Sequence, residues 1–168
     1  MILLGIDPGF SFTGYAVIKV EVHKSCLLDY GYLRLPQKKS LMERVGIFND
    51  YFDAKIKDLH ISELVIETPF LGKNAQNFLK LGYLRGILYL LANKNNLELH
   101  EFSPREIKQR VTGFGGASKD QVARVVSQLF PGIKNLGKED VTDAVAIALC
   151  GLWKQSNPYS RILAYQKN

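Results

Sequence analysis

Two hydrophobic rhythms alternate along this chain. Ile2-Leu3-Leu4-Gly5-Ile6 is a short unbroken apolar run that stops at Asp7, the mark of a strand covered on both faces. Segments 14–20 and 27–35 follow, separated from it and from each other by the turn formers Pro8-Gly9-Phe10-Ser11 and His23-Lys24-Ser25. Links this short predict an antiparallel meander. The period then lengthens: Leu41, Val45, Phe48, Phe52, Ile56 and Leu59 fall on one stripe of an amphipathic helix. That helix can cross the sheet and deliver 63–67 as a strand parallel to the first. A second helix is predicted over 74–92 and a fifth strand over 97–102.

The remaining elements announce themselves by their ends. Ser103-Pro104-Arg105-Glu106 supplies an N-cap, a proline at the first helical position and a glutamate at the third. After the loop Gly113-Phe114-Gly115-Gly116-Ala117, Ser118 caps a helix bearing Val122, Val125, Val126 and Leu129, which Pro131-Gly132 ends. The last helix starts near Glu139 and runs through Val141 to Trp153, apolar on all sides and therefore expected against the sheet. The layout is α/β. With no repeat, low-complexity tract or internal linker, residues 1–155 read as one domain and 156–168 as a C-terminal tail.

Composition adds the partner class. The chain has 168 residues and a formal net charge of +6, with a sequence pI near 9.3, which favours a polyanionic partner over an acidic substrate. Cys26 and Cys150 have neither C-x-x-C nor zinc spacing. No apolar stretch reaches the ~18 residues of a membrane span. The opening residues read as a strand, without the basic flank of a signal peptide; the expected location is cytoplasmic, with reduced cysteines.

Four acids carry the chemistry. Asp7 and Glu67 each close an apolar strand, and Asp140 and Asp143 stand three apart at the head of the last helix, on one face. Each has an ordinary explanation: Asp-Pro-Gly makes a turn, Glu67 can be the first solvent-facing residue after its strand, and Asp140 complements a helix macrodipole. Asp143, inside an apolar helix, is expected to be buried and in need of a cation. At that spacing two aspartates repel by ~0.2 to 0.5 kcal/mol, a sign that a divalent ion reverses. An all-oxygen set suits magnesium, with manganese possible, rather than zinc; His23, His60 and His100 are too scattered to join it. Two ions about 4 Å apart support in-line displacement at phosphorus, so the reaction class is phosphodiester hydrolysis.

Ordered blocks along nearly the whole chain resemble one family. Gly5-Ile6-Asp7-Pro8-Gly9 with Thr13-Gly14-Tyr15, Ile66-Glu67 followed by Phe70 and Lys73-Asn74, Lys80-Leu81-Gly82 with Arg85-Gly86, Lys108-Gln109 before Val111, Gly113-x-Gly115-x-Ala117-x-Lys119, and Asp140-x-x-Asp143-Ala144-x-Ala146-Ile147-Ala148 are similar to the successive signatures of RuvC-type Holliday-junction resolvases. These are crossover-junction endodeoxyribonucleases of the RNase H-like fold. The resemblance implies a mixed five-stranded sheet flanked by helices in three layers, with Asp7, Glu67, Asp140 and Asp143 holding the metal ions. It further implies a homodimer that nicks a four-way DNA junction symmetrically, in company with branch-migration proteins on the same junction. Thr68-Pro69 departs from the family's pattern.

For DNA contact the candidates are Phe70, Lys73, Lys108 and Lys119. Phe70, after Pro69 in a loop beside the acids, can stack on an unpaired base, whereas Lys108 and Lys119 flank the glycine loop and can reach the scissile phosphate. Lys80, Arg85, Arg105 and Arg110 are candidates for a wider phosphate-binding face. Helix 74–92 carries Phe78, Leu81, Leu84, Leu88 and Leu91 on one side and Tyr83, Ile87 and Leu90 on another, a surplus that suggests a self-complementary interface. Two other readings compete. The Asp7-Pro8-Gly9 turn with Thr13-Gly14 also suits the first phosphate loop of actin-like ATPases, but those need a second such domain. A non-catalytic junction-binding module would have no use for the acidic set.

Overall fold

The computed structural model describes residues 1–21, 25–69, 75–131 and 139–153, with backbone alone at 139 and 140. Strands β1 (Ile2–Asp7), β2 (Phe12–Val20) and β3 (Ser25–Arg34) form the expected antiparallel meander. Helix α1 (Leu41–Asp58) then crosses to β4 (Glu63–Glu67), parallel to β1, and α2 (Ala75–Lys94) crosses to β5 (Glu98–Phe102), parallel to β4. The sheet order is β3-β2-β1-β4-β5. Three helices follow: α3 (Pro104–Thr112), α4 (Lys119–Leu129) and α5 (Glu139–Leu152). β2 starts two residues before the expected Gly14, because Phe12 still pairs with Arg34 of β3. α2 runs two residues past the expected 92, to Lys94.

Strand alternation sorts the core into two halves. Leu3, Ala16, Ile18, Val65 and Phe102 face α3, α4 and α5. Leu4, Ile6, Tyr15, Val17, Leu64 and Ile66 face α1 and α2. The molecule therefore has three layers, with the sheet between two helices and three.

The caps are as the sequence requires. Ser40, Ser103 and Ser118 each accept from the backbone N–H three residues on, and Glu43, Glu106 and Gln121 reach back to close capping boxes. Gly113 ends α3 in the left-handed conformation, φ 81°, where a side chain would be strained.

α5 lies directly on the strands. A Cβ built on Gly5 would stand 2.6 Å from the Ala144 carbonyl oxygen and from the Ala148 Cβ, and one on Gly151 would stand 2.5 Å from Val65 Cγ2. Since Ala144 packs at Gly5 whereas Gly151 packs at Leu3 and Val65, α5 runs antiparallel to β1. Its first turn thus stands over the ends of β1 and β4, where Asp7 and Glu67 sit.

Candidate active site

Asp7 and Glu67 are the final residues of neighbouring parallel strands in matched register, Ile6 pairing with Ile66 one step before them. Residues 3, 5 and 7, like 63, 65 and 67, point to the α5 side, so both carboxylates leave the sheet in the same direction, from strands about 5 Å apart. Both are half-buried. The turn after Asp7 is clamped by Thr13, a fully buried hydroxyl that donates to the Gly9 carbonyl (2.9 Å) and accepts from the Gly9 N–H (3.3 Å). In the sequence Thr13 counted only as part of a motif; its role needs the β1–β2 pairing that brings it back over the turn.

Asp143, just past the first turn of α5, completes the constellation. Its Oδ2 accepts from Lys119 Nζ at 2.9 Å. Contrary to the expectation of burial, Asp143 is partly exposed, its side chain at 27%: Val141 and Ala144 on either side of it are buried, whereas Asp143 turns toward Lys119. Burial pushes the Glu67 carboxyl up from its ordinary value, and the Asp143 charge adds to this, while Lys119, Lys108 and Arg85 oppose them. Glu67 and Asp143 are therefore close enough to repel, and Lys108 and Lys119 close enough to relieve the repulsion. The donor set, partly buried carboxylates brought to one end of the sheet by three elements, fits a hard divalent cation.

The two lysines come from separate elements joined by the glycine loop. Lys108 sits on α3 and Lys119 is the first residue of α4. Gln109 staples the loop between them, donating from Nε2 to the Gly113 carbonyl (2.6 Å) and accepting the Gly115 N–H on Oε1 (2.9 Å).

Other candidates fall elsewhere. Asp140 lies on the first turn of α5 by its backbone, but its side chain, like Phe70 and Lys73, is outside the described residues. Lys80 and Arg105 are exposed, as a phosphate-binding face requires. Arg110 is drawn inward, over the Phe102 ring at 4.8 Å and donating to the Trp153 carbonyl at 3.1 Å. Arg85 is buried altogether. Each guanidinium thus finds aromatic or carbonyl partners inside the fold, whereas Lys80 and Arg105 face outward.

This geometry has known counterparts. The model of the family described as crossover junction endodeoxyribonuclease RuvC matches residues 3–151. The chain belongs to the RuvC family. Curated RuvC relatives include that of Chlorobium phaeobacteroides, 41% identical over 157 residues, covering 94% of this chain and 84% of the relative. That of Pelodictyon phaeoclathratiforme is 44% identical over 152 residues, covering 90% of this chain and 80% of the relative. Among solved structures, T. thermophilus RuvC in complex with Holliday junction substrate superposes with a TM-score of 0.82 at 25% identity, covering 98% of this chain and 97% of that one. The RNase H-like fold and the endodeoxyribonuclease activity follow from RuvC membership, as do metal dependence and a place in DNA recombination and repair.

A second polar group lies on the same face of the sheet but at its other end. Glu63, Glu98 and His100 bring one ligand atom each within 4.8 Å of one another, with His100 Nε2 at 2.8 Å from the buried Glu63 carboxylate. Glu63 is four residues along β4 from Glu67, ~13 Å away, so this group is separate from Asp7, Glu67 and Asp143. His100 is a strand residue, as expected, and lies outside the acidic site. No helix among the described residues is long and apolar enough to cross a membrane.

Proposed function

We propose that the chain resolves four-way DNA junctions, with Asp7, Glu67, Asp140 and Asp143 as the metal-holding catalytic acids and magnesium, two ions per site, as the resident metal. The observation that carries this reading is the convergence of Asp7, Glu67 and Asp143 from β1, β4 and α5 at one end of the sheet, with Lys119 on Asp143 and the Lys108 charge reaching Glu67. When bound, such a pair of ions supplies an activated water and stabilisation of the leaving oxygen. The chain's own residues do the positioning. Strand ends fix two carboxylates, α5 brings Asp143 above them, and Lys108 and Lys119 face the phosphate that must approach this negative cluster. Phe70 and Lys73 complete the DNA contacts, Phe70 by stacking on a base at the junction centre. Residues 1–155 form the nuclease domain, followed by the 156–168 tail, and the protein works in the cytoplasm with branch-migration proteins on the same junction.

The active form in this reading is a homodimer joined through α2. Leu84, Leu88 and Leu91 are buried against α1 and the sheet, whereas Leu79, Tyr83 and Leu90 stand 56%, 40% and 55% exposed. A Cβ added at Gly82 or Gly86 would meet nothing, so a second helix can approach closely there. That apolar strip is more than a solvent face needs, and a two-fold axis through it would present two sites to a substrate that is nearly two-fold itself.

Asp7→Asn, Glu67→Gln, Asp140→Asn and Asp143→Asn are each expected to abolish cleavage of a synthetic four-way junction while leaving junction binding intact, because the metal ligands are lost and the phosphate contacts are kept. Band-shift and cleavage assays in parallel check this. Native cleavage by the Asp143→Asn protein would remove α5 from the site.

A further inference from the structure

Arg85 is the only buried cation among the described residues, 5% exposed, and its contacts are specific. Its Nη1 donates to the backbone carbonyl of Glu67. Its Nη2 donates to the Glu101 carboxylate and, at 2.9 Å, to the Tyr89 hydroxyl, which itself donates to Glu101 Oε1 at 2.8 Å. One α2 side chain thereby joins the last residue of β4 to β5. The β4–β5 ladder closes just beyond, where the Thr68 N–H donates to the Phe102 carbonyl at 2.8 Å. A guanidinium is planar, always charged and presents five donors in a fixed fork, so it holds the Glu67 peptide at a set orientation. Burying such a cation is costly unless it is paired. Glu101 is the pairing carboxylate and keeps the fork turned inward, away from solvent and from DNA phosphates.

We infer that Arg85 is a positioning residue for the catalytic metal site: it fixes the peptide plane at Glu67 and so the direction in which that carboxylate leaves the sheet. This rests on Glu67 being a metal ligand. Second-layer partners of this kind typically contribute about 10- to 100-fold in metal affinity or activity. The fork is what matters, so a lysine, which keeps the charge but not the planar donor pair, replaces it only in part.

The test compares Arg85→Met, Arg85→Lys, Glu101→Gln and Glu67→Gln with the native protein. Mn2+ binding is followed by electron paramagnetic resonance, junction affinity in Ca2+ by band shift, single-turnover cleavage against Mg2+ concentration, and melting temperature by calorimetry. Arg85→Met is expected to bind Mn2+ about 10- to 100-fold more weakly, to need correspondingly more Mg2+ for half-maximal cleavage, and to bind the junction with native affinity and salt dependence. Arg85→Lys should fall between Arg85→Met and the native protein. Should Arg85→Met not fold, Arg85→Lys and Glu101→Gln, which loosen the fork without emptying the site, must show the same shift in metal binding. A lowered melting temperature with native Mn2+ binding would overturn the inference in favour of a purely structural role. A lost junction affinity with native metal binding would overturn it in favour of phosphate contact. Native Mn2+ binding by Glu67→Gln would instead remove Glu67 from the metal site, and the inference with it.

Discussion

At the scale of the residue, Glu67 is where folding and chemistry pull against each other. Its carboxyl is pushed up by burial and by Asp143, so the folded chain holds that proton more tightly than the unfolded chain. The sign follows: stability from this group falls as pH rises from the ordinary carboxylate range through the raised value. A cation binds only the ionised form, so metal affinity climbs over the same interval. The metal-free protein is therefore expected to lose melting temperature across that interval, with Mg2+ restoring it and Glu67→Gln abolishing the dependence. Calorimetry at stepped pH, with and without Mg2+, measures all three, and an unaltered profile in Glu67→Gln would count against the assignment. Glu43 works oppositely and lower on the scale. Lys39 and the Ser40 cap hold it down at about 2, so its contribution is lost only as pH falls from the ordinary carboxylate range through that value.

At the scale of the element, short helices aim the basic residues. α4 begins at Lys119, and its Ser118–Gln121 capping box fixes the turn from which Lys119 reaches Asp143. As a surface ion pair that contact is worth little in stability, so the significance of the cap is geometric. Ser118→Ala and Ser40→Ala should each cost about 1 kcal/mol, the usual loss of an N-cap. Only Ser118→Ala should also slow cleavage, because the α1 box that Ser40 closes lies on the other side of the sheet. Urea melts beside single-turnover rates separate the two effects. Equal cleavage by both variants would show that Lys119 does not depend on its cap.

At the scale of the whole molecule, charge and symmetry decide how the sites are used. A chain of net +6, doubled in a dimer, should displace several counterions from DNA, each neutralised phosphate steepening the log–log salt dependence of junction affinity by about 0.9. Titrations across a salt series read that slope directly, and a flat profile would contradict the electrostatic part of the proposal. Symmetry is tested by mixed dimers of one native and one Asp7→Asn subunit. These should leave junctions nicked on a single strand, and paired nicks from such dimers, or a monomeric mass under cleavage conditions, would rule out one cut per subunit.

Sequence alone determined whatever depends on near neighbours. The Ser103–Glu106 capping box, the Ser118 cap, the β1–β2 turn, the antiparallel meander with β4 parallel to β1, and the placement of Asp7 and Glu67 at strand ends were all legible, because backbone hydrogen bonds and side-chain periodicity act over a few residues. The apolar α5 marked its own burial, and Gly5 with Gly151 permits the close approach that sets its first turn above the acids. Tertiary structure decided where the long charged side chains go. Arg85, Arg110, Lys108 and Lys119 look alike in a list of basic residues, yet the first two are drawn into the fold by Glu101, Tyr89, Phe102 and backbone carbonyls, and the other two are left at the acidic site. Asp143 likewise proved partly exposed rather than buried, since an apolar composition does not say which residues near the start of a helix face the sheet. The reason is physical: a flexible charged side chain settles by partners that distant segments supply, and those exist only once the sheet has brought β4, β5 and α2 together.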